Sequence, residues 1–309
     1  MSVKVCIVGC GAIGGIFAAH LARLEDVEVH AYDVSRDHVR AVRERGLRIS
    51  GAADFTAHLH ATSDASQIPA CDFGIVATKS THTSPAIEQT KHIFSATSAV
   101  CSVQNGVGNE EILAGHVKYV IRGTTFPAGH LIEPGHVGFD INGDTWIGPF
   151  EPTNTPYEFV ERLSVLLNRS GMRVIPLKDA RGAQWTKLIF NASTNPVGAL
   201  TLLDHRAATR LAQTGALFND LIAEGEAVAK ALGIQLHGDP RVLVEKGSNA
   251  PGKHNASMLQ DVLAKRQTEV DFMNGAIVEW GKKTGVPTPL NRAMWQLIKG
   301  LEHSWTDPS

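Results

Sequence analysis

The chain opens with a buried-strand pattern that leads into the glycine motif Gly9-x-Gly11-x-x-Gly14 and then into an apolar helix pattern. This order constrains the fold, because each glycine has a mechanical role. Gly9 permits a tight turn, Gly11 lets a pyrophosphate approach the backbone, and Gly14 lets the helix pack close to the strand. The helix start adds N–H groups and a positive dipole end. The residues predicted to bind a dinucleotide here are Gly9, Gly11, Ala12, Ile13 and Gly14.

An acidic residue at the end of the second predicted strand bears on which dinucleotide binds. Asp33 follows the strand pattern at 27–32, near the spacing of about 20 residues that suits a carboxylate on the adenosine ribose. A carboxylate favours NADH, because it repels the 2′-phosphate of NADPH. Arg36 could reach that phosphate from the same loop, and Asp33 could instead be the N-cap of the following helix or a turn residue before it. Asp33 therefore indicates NADH and leaves NADPH open.

The bulk properties exclude several classes of protein. The 309 residues are too many for one small core and indicate two domains. A formal net charge of −2 gives no support for binding to nucleic acid or to a membrane. The four cysteines form no Cys-x-x-Cys pair, which predicts buried, reduced thiols and a cytoplasmic protein. Neither a signal peptide nor a membrane span is predicted.

Strand and helix patterns alternate through the first half of the chain and stop near residue 178. This rhythm predicts an α/β protein whose N-terminal part is a doubly wound parallel sheet of the Rossmann type. The segment 124–150 predicts an antiparallel extension of that sheet, with a hairpin at Asn142-Gly143. Long helical patterns then predict an all-α C-terminal domain. These patterns cover 184–191, 209–232, 257–283 and 290–304, and the predicted domains are 1–178 and 179–309.

Polar residues that could carry chemistry follow two strands and line one helix. Lys79 and Asn105 each come after a buried strand, at the edge where open α/β sheets bind ligands, although each could be an ordinary loop residue. Lys187, Asn191 and Asn195 are spaced by four residues, which places one amine and two amides on one helical stripe. That stripe is either a solvated face or the wall of a binding site.

Three further residues have ordinary structural interpretations. Pro196 should end the helix near Asn195 or kink it there. Ser257 could be the N-cap of the next helix, and Glu269 could be a surface acid paired with Lys265. Periodicity alone favours these interpretations.

Taken together, the motifs of both halves resemble the ketopantoate reductase (2-dehydropantoate 2-reductase) family over the whole chain. The first motif is general to dinucleotide-binding enzymes, whereas the last three are specific in combination. The matching pieces, in the family's order, are Gly9-x-Gly11-x-x-Gly14, Lys79, Gln104-Asn105-Gly106-Val107-Gly108, Trp185-x-Lys187-Leu188-x-x-Asn191-x-x-x-Asn195-Pro196, Ser257-Met258-Leu259-Gln260-Asp261 and Thr268-Glu269-Val270-Asp271-x-x-Asn274-Gly275.

The resemblance implies an NAD(P)H-dependent enzyme that reduces ketopantoate to (R)-pantoate in pantothenate biosynthesis. NADPH is the family norm. Lys187 is implied to be the general acid, and Glu269 to orient it and bind the substrate hydroxyl. The other implied ligand-binding residues are Asn191, Asn195 and Ser257 for the substrate, and Lys79 and Asn105 for the cofactor. We expect a small-molecule substrate and no metal, and a homodimer is left open.

Two departures from the family pattern bear on the ligands. Many members have an arginine near the end of the second strand, suited to NADP, where this chain has Tyr32-Asp33. His254 stands three positions before Ser257, where an asparagine can occur in the family. Another branched or aromatic 2-keto acid, of the mandelate type, is therefore an alternative substrate.

Three other functions compete with this interpretation. A 3-hydroxyacid or 6-phosphogluconate type dehydrogenase shares the two-domain plan, but the string from Trp185 to Pro196 argues against it. His58 and His60 suggest a metal enzyme, yet a metal site needs three or four ligands. A redox-sensing regulator would bind NAD(P) without turnover. The presence of both Lys187 and Glu269 favours an enzyme.

Overall fold

The computed structural model describes residues 2–249 and 255–305, and the chain divides into two compact units. The first, here the Rossmann unit, comprises residues 1–104 and 109–180. The second, here the helical unit, comprises residues 105–108 and 181–309. The short segment 105–108 follows a strand of the Rossmann unit but packs with the helical unit. The predicted fold class, a parallel-dominated α/β sheet followed by an all-α part, is confirmed.

The Rossmann unit is built on a large mixed sheet. Its strand order is β12-β11-β8-β7-β6-β1-β2-β5. Six neighbouring strands of this sheet, β8-β7-β6-β1-β2-β5, run parallel. That run has the doubly wound order whose ligand crevice lies at the carboxyl ends, beside β1. In the described part of the chain the strands are β1 (Val3–Val8), β2 (Val27–Tyr32), β3 (Leu47–Gly51), β4 (Phe55–Ala57), β5 (His60–Thr62), β6 (Cys71–Val76), β7 (Phe94–Ser102), β8 (Tyr119–Thr125), β9 (Ala128–Glu133), β10 (His136–Ile141), β11 (Asp144–Pro149) and β12 (Arg173–Pro176).

Helices cover the sheet and form the second unit. Both faces of β1 are buried, since Val5 and Ile7 join one hydrophobic cluster while Cys6 and Val8 join another, as expected for a covered parallel strand. Residues 2–249 and 255–305 contain the α-helices α1 (Ala12–Leu21), α2 (Arg36–Arg45), α3 (Thr83–Thr90), α4 (Asn109–Ala114), α5 (Tyr157–Arg169), α6 (Arg181–Thr201), α7 (His205–Arg210), α8 (Ala212–Ala231), α9 (Pro240–Asn249), α10 (Ser257–Leu263), α11 (Asn274–Thr284) and α12 (Pro289–His303).

The segment 124–150 differs in part from its prediction. Strand β11 does extend the main sheet, antiparallel to β8, but β9 and β10 join β3 and β4 in a second sheet of order β4-β3-β10-β9. Asn142-Gly143 closes no hairpin, because the strands on either side of it pair in different sheets. The hairpin turn lies at Pro134-Gly135, where Gly135 has φ +82°. At Gly143 the absence of a Cβ instead permits close approach of the Phe126 backbone.

The helical pattern at 257–283 is interrupted, whereas we predicted one helix. Helix α10 ends at Leu263, and Lys265 then adopts a left-handed conformation with φ +48°. The Arg266 guanidinium pairs with the buried Asp261 carboxylate at 3.0 Å, which fixes the turn. Glu269 therefore lies in a loop before α11 and is only 4% exposed, so the surface-acid interpretation is wrong. The pattern at 209–232 is similarly divided into α7 and α8.

Helix α6 continues through Pro196 to Thr201, so the predicted end of the helix near Asn195 is wrong. Proline has no N–H, so the carbonyl four residues earlier, at Ala192, loses its usual helical donor. The buried Asn274 side chain donates to the Ala192 oxygen at 2.8 Å. A tertiary hydrogen bond thus replaces the missing backbone bond, which sequence periodicity alone could not reveal.

Replacing Asn274 with alanine is expected to lower the free energy of unfolding by about 1–3 kcal/mol, because a buried carbonyl loses its donor. The double variant Asn274→Ala/Pro196→Ala should recover part of that loss, since alanine at position 196 restores a backbone N–H for the Ala192 oxygen. Urea unfolding of both variants measures the difference. Equal stability of the single and double variants would show that the cost arises elsewhere, for example at the Asn291 side chain, which also contacts Asn274.

No helix in the ranges 2–249 and 255–305 is both long enough and apolar enough to cross a membrane.

Candidate active site

The glycine loop of the Rossmann unit has the geometry of a phosphate cradle. Gly9 has φ +89°, and a Cβ there would meet the Thr78 backbone nitrogen at 2.8 Å. A Cβ on Gly14 would overlap the carbonyl oxygen of Gly9, so only glycine lets α1 start this close to β1. Around Gly11, by contrast, no heavy atom lies within 4 Å of the position a Cβ would take. Two glycines therefore serve packing, and the third borders open space.

The start of α1 faces this loop without a competing side chain. Gly11 is its N-cap and makes no side-chain cap hydrogen bond. Ala12 and Ile13 are the first helical residues, and N–H groups in a first turn have no acceptor within the helix. Such groups, together with the helix dipole, suit the pyrophosphate of a dinucleotide. The residues present therefore fit an NAD(P) cofactor.

Asp33 is fixed beside the glycine loop by two backbone hydrogen bonds. One carboxylate oxygen accepts from the Cys10 N–H and the other from the Ser35 N–H, both at 2.8 Å. Each oxygen keeps a lone pair that could accept from a ribose hydroxyl. The N-cap of α2 is Ser35, so the capping interpretation of Asp33 is wrong. The bond from Ser35, two residues later, agrees with the turn interpretation. Arg36 is the first residue of α2 and is exposed.

A buried amide, which sequence reasoning passed over, organises the loop that carries Lys79. Lys79 is half-buried and follows Thr78, the residue that abuts Gly9. The Gln104 amide donates to the Thr78 carbonyl at 3.1 Å and to the Thr83 hydroxyl at 2.7 Å. Gln104 lies inside the string Gln104–Gly108, in which only the neighbouring Asn105 had been singled out for a role. The strand-end position was the signal that could have identified it.

In the helical unit, α6 presents the predicted polar stripe in a buried setting. Asn191 is 7% exposed and Asn195 is 5% exposed, so the solvated-face interpretation is wrong. Lys187 is partly buried on the same stripe. Burial lowers the pKa of Lys187 to about 8, and the negative charge of Glu269 opposes that shift. An ammonium of this acidity can give up its proton near neutral pH.

The buried Glu269 carboxylate is held close to Lys187 with help from the segment 105–108. The Asn105 amide donates to a carboxylate oxygen of Glu269 at 3.4 Å. That segment is itself fixed, because the Val107 N–H donates to the Phe272 carbonyl at 3.0 Å. The helical unit thus brings together Lys187, Glu269 and Asn105, which lie far apart in sequence.

The remaining predicted substrate residues lie on or beside α6. The Asn195 amide contacts the Met273 sulfur at 3.6 Å. Ser257 is the first residue of α10 and is half-buried, and Ala256 rather than Ser257 is the N-cap, so that interpretation of Ser257 is wrong. The helical unit accordingly offers a proton donor of lowered pKa, a carboxylate, and amide and hydroxyl groups. This set can bind and protonate a polar carbonyl substrate.

Comparison with known families accounts for nearly the whole chain. Residues 5–152 match the model described as ketopantoate reductase PanE/ApbA. Residues 179–302 match the model of the ketopantoate reductase PanE/ApbA C terminal part.

Individual relatives extend over the same length. A 2-dehydropantoate 2-reductase of Pyrococcus horikoshii is 33% identical over 304 residues, which covers 97% of this chain and 98% of that protein. A PanE/ApbA family ketopantoate reductase structure from Ralstonia eutropha superposes with a TM-score of 0.89 at 29% identity, covering 99% of this chain and 100% of that one. A D-mandelate dehydrogenase with NADH and anilino(oxo)acetate shares the fold, with a TM-score of 0.90 at 24% identity and coverage of 99% and 100%.

Proposed function

Because the chain belongs to the ketopantoate reductase PanE/ApbA family, we propose that it reduces 2-dehydropantoate to (R)-pantoate and prefers NADH. The chain is an NAD(P)-dependent oxidoreductase of the 2-keto acid reductase type. The observation that carries the proposal is the Lys187 ammonium beside the Glu269 carboxylate, on the stripe of α6 that also carries the buried Asn191 and Asn195. Burial lowers the pKa of Lys187 to about 8, although the charge of Glu269 opposes that shift. This ammonium is the acid that reduction of a keto group requires, because an alkoxide must be protonated.

Lys187 has two tasks in the proposed reaction. The reduced nicotinamide, when bound, supplies a hydride to the keto carbon. The Lys187 ammonium stabilises the negative charge that develops on the keto oxygen and then donates a proton from Nζ. A pKa of about 8 keeps the amine protonated at neutral pH while making it a stronger acid than an ordinary lysine. Glu269 would hold the ammonium in place and accept a hydrogen bond from the substrate hydroxyl.

Substrate recognition would use the buried amides of α6. Asn191 and Asn195 each offer a donor and an acceptor, which suits a carboxylate beside a hydroxyl. Ser257 adds a hydroxyl that can serve either role. The Asn105 amide, which donates to the Glu269 carboxylate, would help to hold the residue that both binds the substrate hydroxyl and orients Lys187.

Cofactor binding would use the Rossmann unit. The residues at 9–14 would cradle the pyrophosphate, and Asp33 would accept from the adenosine ribose hydroxyls. Lys79 carries a positive charge on the loop that abuts Gly9, which suits the cofactor phosphates. The NADH preference is supported by the Asp33 carboxylate, because it is fixed beside the glycine loop, where it would repel the 2′-phosphate of NADPH.

The direct test is oxidation of NADH and of NADPH by the purified protein, followed by absorbance, with ketopantoate, phenylglyoxylate and 2-ketoisovalerate as substrates. Efficient turnover of ketopantoate supports the proposal. Turnover of phenylglyoxylate alone would replace it with the mandelate-type alternative. That alternative was prompted in part by His254, which lies outside the described residues. Cofactor binding without turnover would contradict the proposed reaction.

Replacing Asp33 with alanine is expected to raise the ratio of NADPH to NADH efficiency (kcat/KM) by about 10–100-fold, since charge-assisted bonds to the ribose are worth about 1.5–3 kcal/mol. Asp37→Ala is the matched control, because it removes an exposed acid from the first turn of α2 and changes net charge equally. Steady-state kinetics with both cofactors measure the ratio. An Asp33→Ala ratio equal to that of the control would exclude a role in discrimination.

A further inference from the structure

Side chains of helix α12 form hydrogen bonds with the loop that carries Glu269, on both sides of that residue. Before Glu269, the Thr268 N–H and hydroxyl both donate to one carboxylate oxygen of Glu302, at 2.8 and 2.6 Å. After it, Asp271 accepts from the Trp295 indole N–H at 2.6 Å. Glu302 and Trp295, both on α12, are therefore two anchors that hold the loop on either side of Glu269.

The two anchors are joined into one network by a lysine. Lys299 Nζ lies 3.0 Å from a carboxylate oxygen of Asp271 and 3.0 Å from one of Glu302. Thr268 is fully buried, and the Glu302 side chain is only 10% exposed. Water would replace these contacts poorly, because the Thr268 N–H lies away from solvent.

We propose that Glu302 is a positioning residue that holds Glu269 against Lys187 through the Thr268 backbone. The inference rests on the proposed function for its catalytic meaning, but its structural content concerns the protein alone. Glu302 does not itself touch the reacting groups. It accepts both donors of Thr268, and this fixes the backbone nitrogen and side chain of the residue that immediately precedes Glu269.

The position of Glu269 has a measurable signature at Lys187. The Glu269 charge raises the Lys187 pKa against the effect of burial, so a displaced carboxylate should let that pKa fall further below about 8. A loop displacement of about 1 Å is also enough to reduce catalysis by up to about 100-fold. A residue with a merely structural role would lower stability without moving the Lys187 titration.

The test uses Glu302→Ala and Glu302→Gln in the full-length protein. The Lys187 titration is followed by NMR of isotope-labelled lysine, assigned with Lys187→Ala. In Glu302→Ala we expect the titration midpoint to fall by about one pH unit and kcat to fall by about 10–100-fold. Glu302→Gln keeps an oxygen acceptor for Thr268, and Lys299 keeps its pair with Asp271, so kcat of this variant should stay within about threefold of the wild-type value.

Two further variants make the result decisive. In a Glu269→Gln background, Glu302→Ala should change kcat less than about twofold, since its effect acts through Glu269. Glu279→Ala is the control, because it removes an ion-paired acid from α11 of the same unit. An unchanged Lys187 titration in folded Glu302→Ala, or fully multiplicative effects in the double variant, would overturn the proposal.

Failure of the inference and failure of the proposed function are separable. The NMR titration needs no substrate, so absence of ketopantoate turnover in the wild type would refute only the proposed reaction. If Glu302→Ala does not fold, Thr268→Val removes one of the two contacts to Glu302 and should give a smaller downward shift of the same titration. No shift in folded Thr268→Val would then contradict the inference.

Discussion

Replacing Lys187 with alanine is expected to lower kcat for keto acid reduction by about 1,000-fold and to leave cofactor affinity within about twofold. General acid catalysis contributes about 10²–10⁴-fold, and loss of a charge that stabilises an oxyanion adds to this cost. Lys187 belongs to the helical unit, whereas the glycine loop and Asp33 belong to the Rossmann unit. Single-turnover kinetics and cofactor titration by fluorescence measure the two quantities separately.

The pH profile tests the same role. The ammonium must be protonated to act, so wild-type kcat/KM, which reports the free enzyme, should be constant below about pH 8 and fall about tenfold per unit above it. The residual activity of Lys187→Ala should lack that decline. Lys230→Ala, at an exposed lysine of α8, is the matched control and should behave as the wild type. Retention of the alkaline decline in Lys187→Ala would assign the proton to another group.

Replacing Gly14 with alanine is expected to destabilise the Rossmann unit by more than about 3 kcal/mol and to abolish cofactor binding. The added Cβ would overlap the Gly9 carbonyl oxygen, so the start of α1 would have to move away from the end of β1. Overpacking against backbone cannot be relieved by rotating a side chain, which puts this substitution among the costly ones. Denaturant unfolding and cofactor titration measure both effects.

Gly11→Ala is the matched partner of that substitution. Nothing lies within 4 Å of the added Cβ, and Gly11 already has φ −67°, so the unfolding free energy should change by less than about 0.5 kcal/mol. Cofactor affinity should nevertheless fall at least about tenfold, because the methyl group would occupy the approach of the pyrophosphate. Normal cofactor affinity in Gly11→Ala would place the dinucleotide phosphates elsewhere.

Features that depend on residues close together in the sequence could be predicted from the sequence. The glycine motif, the alternation of strands and helices, and the apolar periodicity of the C-terminal half led to the correct fold class. Pairing between distant strands could not be predicted, because Asn142-Gly143 signals a turn without indicating which strands it joins. The break after α10 was also missed, since Lys265 adopts a left-handed conformation that lysine rarely adopts.

The candidate site likewise has features that the sequence reveals and features that it does not. The stripe of Lys187, Asn191 and Asn195 is visible in the sequence because it has helical spacing. Its burial is not visible, since that depends on other helices. Glu302 reaches Thr268 from α12, and such a contact between distant segments leaves no local pattern. Gln104 has a local signal in its strand-end position, but its partners in the loop after β6 are not visible in the sequence.

The hydrogen bond from Asn274 to Ala192 constrains how this helix could have arisen. A chain that acquired Pro196 first would bury a carbonyl without a donor, whereas a chain that acquired Asn274 first would lose nothing, because a carbonyl oxygen can accept two hydrogen bonds. The effect of each substitution therefore depends on the other, so selection should favour their joint inheritance. Transfer of α6 into another protein would have to carry the asparagine of α11 with the proline.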